Sequence, residues 1–328
     1  MTIKNVLVIG GAGYVGSKLV PLLLKNNFKV SVFDLFIYGE DVFSGHPNLK
    51  IIKGDIRNTG LLKETINDVD SIIHLACISN DPSFELDPSL GKKINYDSFE
   101  PLIKISKDQG VKKFIYASSS SVYGVKNELN VHENMQLEPI TDYSKFKAMC
   151  EDIVFKYSSK NFICTVLRPA TVCGYSRRQR LDLVVNILSN HAFFNRKIKI
   201  LGGEQYRPNI HIDDMCDSYL KLLLSDNPII NGNVYNVGTE NQKVKDLANT
   251  VSDIMGDDII FETVPSNDDR SYHISSEKIL KDLQFSPKKK IKDAVVDLKK
   301  AFEMKILNNT FNNEYYFNIQ RMKNINLV

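Results

Sequence analysis

Two short segments of the sequence carry side chains that could move a proton. The segment "TDYSKFKAMCE" places Tyr143 and Lys147 four residues apart, and on a helix this spacing puts both on one face. Residues 116–124 read "YASSSSVYG", an apolar run that ends in four consecutive serines. An alcohol that gives up a hydride must also lose its hydroxyl proton, and a tyrosine of ordinary pKa is a poor base at neutral pH. A lysine ammonium beside the tyrosine would favour the phenolate, although the pair alone is weak evidence because many surface helices contain one.

A glycine-rich turn near the start could hold a pyrophosphate. Gly10, Gly13 and Gly16 have the spacing G-x-x-G-x-x-G, directly after a predicted strand and at the start of a predicted helix. Glycine lets the backbone turn sharply and approach a pyrophosphate, whose charge then rests on the amides of the helix N-terminus. Tyr14 and Val15 lie inside this turn and belong to the predicted cofactor site. An ordinary tight turn is the alternative if the glycines are taken alone.

Acidic side chains after the next two strands extend this pattern. Asp34 ends the second predicted strand, close to the spacing from Gly16 at which an acid binds adenosine ribose hydroxyls. Its carboxylate would repel a 2′-phosphate and no arginine follows it, so the pattern favours NAD over NADP. In "KGDIRN", Asp55 could accept a hydrogen bond from the adenine amino group while Ile56 packs on the ring. A turn or helix-capping aspartate is about equally compatible with these residues.

Strands and helices that alternate along the chain must position these side chains. Short β-branched runs alternate with segments of helical period, which predicts an α/β, doubly wound parallel sheet with its ligands at the carboxyl ends of the strands. Beyond residue 168 the pattern loosens, which indicates a smaller interleaved substrate-binding domain, and the tail could be an ordered strap or an interface. The predicted strands are 3–9, 29–34, 49–53, 71–75, 112–117 and 163–168, and the predicted helices include 14–25, 61–66, 143–157 and one within 288–305. The expected domains are 1–172 plus 207–238 for the cofactor, 173–206 plus 239–305 for the substrate, and 306–328 as a C-terminal tail.

Composition excludes several other classes of protein. The 42 basic and 39 acidic residues nearly cancel, so the formal charge of +3 gives no sign of a nucleic-acid or membrane partner. The 5 cysteines are far apart and odd in number, which argues against a disulfide framework or a zinc site. His211 stands beside Asp213 and Asp214, but its place in an alternating run favours a structural role, and we expect no metal. No uncharged apolar run approaches the roughly 18 residues needed to span a bilayer, so a cytoplasmic protein is expected.

Taken together, the motifs resemble those of the extended short-chain dehydrogenase/reductase family, and within it the nucleotide-sugar epimerases and dehydratases. The resemblance covers nearly the whole chain and implies a Rossmann fold, bound NAD, a nucleotide-diphosphate sugar as substrate, and a homodimer formed through residues 95–109 and 143–157. The matching features, in family order, are the glycine turn, Asp34, "GDIR", "HLAC", Asn95, "SSSSVYG", Tyr143 with Lys147, "LRPATVCG", "YRPNIHIDD" and Arg270.

The resemblance also implies roles for individual residues. Tyr143 would remove the substrate proton, Ser119 would hydrogen-bond the substrate hydroxyl and the tyrosine, and Lys147 would hold the nicotinamide ribose. Beside the cofactor it places Leu75, Ala76, Asn95, Ser118 and Pro169. Around the substrate it places Ser79, Ser120, Ser121 and Thr171, with Arg207 and Arg270 gripping the diphosphate.

The sequence departs from the common 4-epimerases at two of these positions. Many of those enzymes carry asparagine where Thr171 stands and lysine where Ser79 stands, so we expect a sugar, or an orientation of it, unlike that of UDP-galactose. The segment "RLDLVVN" resembles a narrower subgroup that includes GDP-heptose-modifying enzymes. It makes Arg180 and Asn186 candidate substrate residues, with a solvated loop and a helix cap as the respective alternatives. For the adjacent Arg177 and Arg178 of "YSRRQR", a solvated loop is favoured over a phosphate or uronate site.

The sequence therefore predicts an NAD-dependent nucleotide-sugar epimerase that acts at C4 through a transient 4-keto intermediate. A 4-dehydrogenase or a 4-keto reductase with the same residues is the alternative, followed by a cofactor-binding protein without activity. A 4,6-dehydratase is disfavoured because related dehydratases need a carboxylate around positions 120 and 121, where this chain has serines.

Overall fold

The computed structural model describes residues 3–265, 271–325 and 327. Their strands are β1 (Asn5–Ile9), β2 (Lys29–Asp34), β3 (Leu49–Lys53), β4 (Ser71–His74), β5 (Lys113–Ala117), β6 (Ile163–Pro169), β7 (Thr171–Cys173), β8 (Lys197–Leu201), β9 (Tyr206–His211), β10 (Asn233–Val237), β11 (Glu240–Lys243) and β12 (Ile260–Val264). Their α-helices are α1 (Gly16–Lys25), α2 (Thr59–Ile66), α3 (Asp81–Phe84), α4 (Pro88–Lys92), α5 (Phe99–Asp108), α6 (Asp142–Tyr157), α7 (Val184–Asn195), α8 (Ile212–Leu224), α9 (Asn227–Ile230), α10 (Val244–Met255), α11 (Glu277–Leu283), α12 (Ile291–Glu303) and α13 (Asn318–Asn324).

Seven strands form the main sheet, in the order β10-β6-β5-β4-β1-β2-β3. All of the pairings are parallel, and the register joins Ile9 of β1 to Phe33 of β2 on one side and to His74 of β4 on the other. The central strands are buried on both faces, as their continuous apolar runs require. The doubly wound, Rossmann-like α/β fold expected from the sequence is thus confirmed.

Helices cover both faces of this sheet and enclose two apolar cores. On one face, Leu19 and Leu23 of α1 pack with Met215 and Tyr219 of α8. On the other, residues of α2, α5 and α6 form a second cluster with the side chains of β1, β4, β5 and β6. Because both faces are covered, the ends of the strands are the exposed part of the sheet, and the carboxyl ends face the candidate site.

A smaller layer stands over the carboxyl ends. A three-stranded sheet has the order β11-β9-β7, and β8 pairs with β12 in a two-stranded sheet. Side chains of α7, α10 and α12 pack on these strands in a third core that includes Val185, Leu247 and Leu298. The chain enters this layer after β6 and returns to the main sheet for β10, which is the interleaving that the loosened sequence pattern suggested. The domain boundaries themselves stay a prediction, and β9, assigned to the first domain, pairs with strands of the smaller layer.

The tail forms an ordered strap. Residues Glu314–Tyr316 make a 3-10 turn and α13 follows it, with Arg321 in α13 bonded to the carbonyl of Ile37 after β2. None of the helices in the described ranges is both long and apolar enough to cross a membrane.

Candidate active site

A cavity of about 730 Å³ lies at the carboxyl ends of the main sheet, under the smaller layer. Its walls contain most of the residues predicted from the sequence as site residues: Gly10, Gly13, Tyr14, Val15, Gly16, Asp34, Ile56, Leu75, Ala76, Ser79, Ser118, Ser119, Ser120, Ser121, Tyr143, Lys147, Pro169, Thr171, Arg180 and Arg207. Asp55, Asn95 and Asn186 do not line it, and Arg270 lies outside the described residues.

At its three glycines, the turn exposes backbone atoms to the cavity. Gly10 has φ +78°, and a Cβ there would lie 2.4 Å from the backbone nitrogen of Ala76. A Cβ on Gly16 would lie 2.2 Å from the carbonyl oxygen of Gly11, so the turn and the start of α1 pack too closely for any other residue. A Cβ on Gly13 would meet only the Gly10 carbonyl, at 3.3 Å, and would otherwise project from the turn surface. The turn therefore leaves room for a pyrophosphate to approach the first turn of α1.

Asp34 is fixed beside this turn. Its carboxylate accepts hydrogen bonds from the backbone nitrogens of Ala12, at 2.9 Å, and Phe36, at 2.8 Å. Burial raises the pKa of Asp34, and these two backbone bonds partly offset the rise. Each carboxylate oxygen keeps a further lone pair, which is what a ribose diol needs from an acceptor.

The next two strand ends place apolar groups against the cavity and polar groups behind it. Ile56, Leu75 and Ala76 line the cavity. Asp55 instead forms an ion pair with Arg57, at 2.6 Å. Asn95 is buried and binds both backbone groups of Ile78, as acceptor at 2.8 Å and as donor at 3.0 Å, so that it shapes the wall without lining it. Their proposed cofactor contacts stay predictions.

Tyr143 and Ser119 meet in the middle of the cavity. Tyr143 lies in the first turn of α6, and Ser119 follows β5 and caps the 3-10 turn Ser120–Tyr123. Burial raises the pKa of the Tyr143 phenol well above its ordinary value, and Cys77 and Asp81 add to the rise, whereas Arg180 and a hydrogen bond with Ser119 oppose it. A buried phenol with a hydroxyl partner and cations nearby can exchange a proton with a substrate alcohol.

Lys147 lies one helical turn beyond the tyrosine and is buried. Its ammonium donates a 2.6 Å hydrogen bond to the carbonyl of Ala117, and lies 5.0 Å from the Tyr116 ring centroid and 5.9 Å from that of Tyr143. The carbonyl fixes one proton of the ammonium, so the others remain for a ribose hydroxyl or the phenolate. Burial and the charge of Lys147 lower the pKa of His74 to about 3, which agrees with a structural, neutral histidine.

Buried polar groups behind these residues hold them in register. Ser118 donates to Glu151 of α6, and Glu151 forms a salt bridge with Arg168 of β6 at 2.5 Å. Arg168 also donates to the Tyr123 hydroxyl, at 2.8 Å. The network joins the end of β5 to α6, and so fixes the distance between the serines and Tyr143.

The candidate substrate residues line the same cavity. Arg180 donates to Asp182 at 2.8 Å and to the Ser79 hydroxyl at 3.3 Å, and its buried Nη2 has no hydrogen-bond partner among the described residues. Arg207, on β9, donates to its neighbouring carbonyl at Tyr206 and also lines the cavity. Ser120, Ser121 and Thr171 line the same space.

Asn186 lies behind this wall. It accepts a hydrogen bond from the Gly174 nitrogen and donates to the Tyr14 hydroxyl and the Arg180 carbonyl, at 3.0, 3.0 and 2.8 Å. The side chain therefore links the glycine turn to the arginine segment without lining the cavity, and its contact with the substrate stays a prediction.

Arg178 and Asn318 line the cavity, although neither was predicted as a site residue. Arg178 is 5% exposed and lines the cavity, so the expected solvated loop is wrong for this residue, although Arg177 is exposed. Asn318 is 1% exposed, binds Arg178 and Ser79, and reaches the cavity from the tail. No local pattern marks Asn318, whereas two arginines beside a predicted site were a signal for Arg178.

A cluster of His211, Asp213 and Asp297 has the composition of a metal site. However, Lys289 pairs with both carboxylates, at 2.6 and 3.7 Å, and Lys18 pairs with Asp213 at 3.1 Å. The lysines supply the positive charge, and the cluster is an ion-pair network between α1, α8 and α12.

Comparison with known proteins agrees with this geometry. The model of the NAD dependent epimerase/dehydratase family matches residues 6–238. A UDP-glucose 4-epimerase of Lactobacillus helveticus is 29% identical over 72% of this chain and 76% of its own length. Two other curated relatives are matched over only 52% and 44% of their length, so the chain spans about half of those proteins.

Solved structures show the same likeness. A UDP-N-acetylglucosamine 4-epimerase from Methanobrevibacter ruminantium, in complex with UDP-N-acetylmuramic acid, has a TM-score of 0.85 and 26% identity over 93% of this chain and all of its own. A UDP-glucuronic acid 4-epimerase from Bacillus cereus, in complex with UDP-glucuronic acid and NAD, has a TM-score of 0.84 and 26% identity over 92% of this chain and 99% of its own. Because the family model matches more than half of the sequence, the chain belongs to the NAD-dependent epimerase/dehydratase family, whose cofactor is NAD.

Proposed function

We propose that the protein is a nucleotide-sugar epimerase that inverts C4 through a transient 4-keto sugar. The observation that supports this best is that Ser119, Tyr143 and Lys147 line one cavity, together with a glycine turn that fits the cofactor's diphosphate. The 4-epimerases among its relatives support the same reaction class.

The chain's own residues handle the proton. Ser119 orients the C4 hydroxyl toward Tyr143, whose phenol oxygen removes its proton and later returns it. Lys147, whose ammonium lies 5.9 Å from the Tyr143 ring centroid, is proposed to hold the nicotinamide ribose and to favour the phenolate by its positive charge. Burial raises the pKa of Tyr143, and Arg180 and the hydrogen bond with Ser119 oppose that rise. NAD held by the glycine turn and Asp34 would supply the hydride acceptor for C4 and the hydride donor for the other face of the ketone. Between the two transfers the 4-keto sugar must turn over inside the cavity.

Two arginines of the cavity lining are proposed to bind the diphosphate and the sugar oxygens of the substrate. Arg207 is proposed to bind the diphosphate, together with Arg270. The free Nη2 of Arg180 and the hydroxyl of Ser79 lie on the same side and are proposed to bind sugar oxygens. Arg180 keeps a paired charge through Asp182, so it suits a neutral hydroxyl as well as a carboxylate.

A dehydratase would need a free acid next to the sugar. The acids of the described cavity lining are Asp34, Asp81 and Asp182, and each is already engaged: by backbone amides, by the Thr141 hydroxyl, and by Arg180. Positions 120 and 121, where related dehydratases carry acids, hold serines. This arrangement supports epimerisation over elimination of water.

The test incubates purified protein with a panel of UDP-, GDP-, CDP- and dTDP-sugars that carry deuterium at C4. We expect one pair of C4 epimers to interconvert with the label retained and no net NADH, as measured by NMR and absorbance. Stoichiometric NADH formation or consumption would instead assign a 4-dehydrogenase or 4-keto reductase. No reaction with any sugar, with cofactor bound, would contradict the proposal.

Tyr143→Phe should lower kcat by about 10²- to 10⁴-fold, because the proton then has no acceptor. Tyr235→Phe, which removes a hydrogen bond to the Ile229 carbonyl and does not change the cavity lining, is the control and should leave kcat within about twofold. Near-normal turnover of Tyr143→Phe would contradict the assignment of the base.

A further inference from the structure

Arg178 is a buried cation that contacts an aromatic ring and an amide. Its guanidinium lies 3.7 Å from the Tyr38 ring centroid and donates a 2.6 Å hydrogen bond to the Asn318 side-chain oxygen, while its buried Nε has no hydrogen-bond partner among the described residues. It forms no ion pair with any carboxylate of the described residues. Burial lowers its pKa to about 10, so the side chain is still charged at neutral pH. The charges of Asp182 and Asp34 act on it from a distance, but neither carboxylate bonds to the guanidinium, so an anion bound directly to it would stabilise this buried charge.

The position of Arg178 indicates which anion. Its backbone nitrogen donates to the hydroxyl of Ser17, in the first turn of α1, at 3.2 Å. The hydroxyl of Ser176 bonds to the Tyr14 carbonyl at 2.9 Å, so this segment rests on the glycine turn itself. From there the side chain extends to Tyr38, four residues beyond Asp34. The residue thus bridges the two points between which a dinucleotide places its diphosphate and adenosine ribose.

The glycine turn itself supplies only backbone amides and the partial charge of a helix N-terminus. The two negative charges of a dinucleotide diphosphate are bound more strongly when a guanidinium adds charge-assisted hydrogen bonds. Lys147 bonds to the Ala117 carbonyl and Arg180 is paired with Asp182. Among the cations of the described cavity lining, Arg178 is the one whose backbone bonds to the first turn of α1 and whose guanidinium forms no ion pair.

The tail holds this guanidinium in place. Asn318 donates to the Ser79 hydroxyl at 2.7 Å, and its backbone nitrogen donates to Asp182 at 3.0 Å. These bonds aim its side-chain oxygen at Arg178. Met322 and Leu327 of the tail line the same cavity.

We propose that Arg178 is an additional ligand of the NAD diphosphate and that Asn318 positions its guanidinium, so that the C-terminal tail closes the cofactor site. Loss of Arg178 weakens binding of any ligand that contains the diphosphate. Loss of Asn318 mainly accelerates release of the cofactor.

The first experiment measures Kd by calorimetry for NAD, ADP-ribose and adenosine on the full chain stripped of nucleotide. Arg178→Gln should raise the Kd for NAD and ADP-ribose by about 10- to 100-fold and leave that of adenosine within about twofold. Arg178→Lys should lie between Arg178→Gln and wild type, because it restores the charge but not the planar fork. Arg177→Gln, which changes an exposed neighbour bonded to Ser44, is the matched control and should change nothing.

Two results would overturn the proposal for Arg178. One is an equal loss for adenosine and ADP-ribose, which would indicate a general structural defect. The other is an unchanged Kd for NAD. If Arg178→Gln does not fold, as judged by its thermal transition, Arg178→Lys decides by the same ratio between ADP-ribose and adenosine. No sugar is present, so the result is independent of the proposed epimerase reaction.

The second experiment measures how fast bound NADH exchanges with excess NAD, by fluorescence. Asn318→Ala should speed release by about three- to tenfold, the loss of one hydrogen bond to a charged group. Asn312→Ala, in the exposed part of the tail and bonded only to Asn309 among the described contacts, should release NADH at the wild-type rate. Equal release rates for the two variants would exclude a closing role for the tail.

Discussion

At the scale of single residues, the site works by placing opposite charges around buried groups. Burial raises the pKa of the Tyr143 phenol, and the charges of Asp81 and Arg180 shift it in opposite directions. Asp34 is likewise held between two backbone amides in a buried position. In both cases burial disfavours the charged form, so the ligand that restores it contributes to binding or catalysis.

Asp34 makes the affinity for NAD depend on pH. Its ionised carboxylate accepts hydrogen bonds from ribose hydroxyls, and burial raises its pKa in the free protein. The affinity should therefore be full above that raised pKa and should fall, by up to about tenfold per pH unit, as the pH falls through it. Calorimetry from neutral pH downward measures this effect.

Asp34→Asn provides the control for that titration. It should bind NAD about tenfold more weakly at neutral pH, and its Kd should change much less with pH. A wild-type Kd with the same pH dependence as that of the variant would show that another group is responsible.

At the scale of elements, α6 carries the reacting tyrosine and must be fixed against β5 and β6. The Thr141 side chain caps its first turn, together with Ser144. About two helical turns beyond Tyr143, the buried pair of Glu151 and Arg168 ties the helix to β6 and reaches Ser118. The pair is a positioning device, because its charged atoms face each other and not the cavity.

Glu151→Ala should lower the free energy of unfolding by about 3–5 kcal/mol, because it leaves Arg168 charged and buried without its partner. Urea denaturation followed by circular dichroism measures the loss. Glu40→Ala, which breaks an exposed pair with Lys53 outside the predicted dimer interface, should lower the free energy of unfolding far less. Similar losses for the two variants would contradict a special role of the buried pair.

At the scale of the whole molecule, the resemblance predicts association through α5 and α6. A surface groove of about 540 Å³ lies between these helices and includes Ile105 and Ile153. Apolar side chains in such a groove are typical of helix packing between subunits. We therefore expect a homodimer.

Light scattering on a sizing column should give the mass of two chains for the wild type and of one chain for Ile153→Glu, because the new charge would be buried in the interface. Leu129→Glu, at a position 78% exposed and outside the groove, should remain dimeric. A wild-type protein with the mass of one chain at micromolar concentration would refute the predicted assembly.

The sequence predicts the parts of the site that local sequence patterns determine. Six of the seven described strands of the main sheet begin and end within two residues of the predicted bounds, since β-branched runs and glycine turns are local signals. The seventh, β10, was not predicted. The ends of β2 and β5 then place Asp34 and Ser119 at one cavity, because parallel strands share one carboxyl edge. Tyr143 reaches the same cavity from the first turn of α6.

The remainder depends on contacts between distant segments. Arg178 and Asn318 are 140 residues apart, and no local pattern pairs them. Asn186 lies on α7, whose residues Val184, Ile187 and Leu188 line the cavity, but one residue along a helix is a rotation of about 100° and directs its side chain behind the wall. Packing with distant segments determines which side chains of α7 face the cavity, and the composition of the helix does not specify that packing.

The path of the tail has a practical consequence for handling the protein. Leu327 reaches the cavity, whereas Asn5 begins β1 at the opposite edge of the main sheet. A bulky group attached to the tail beside Leu327 would crowd the cofactor site, whereas one attached at the amino end of β1 would lie on the far side of the sheet.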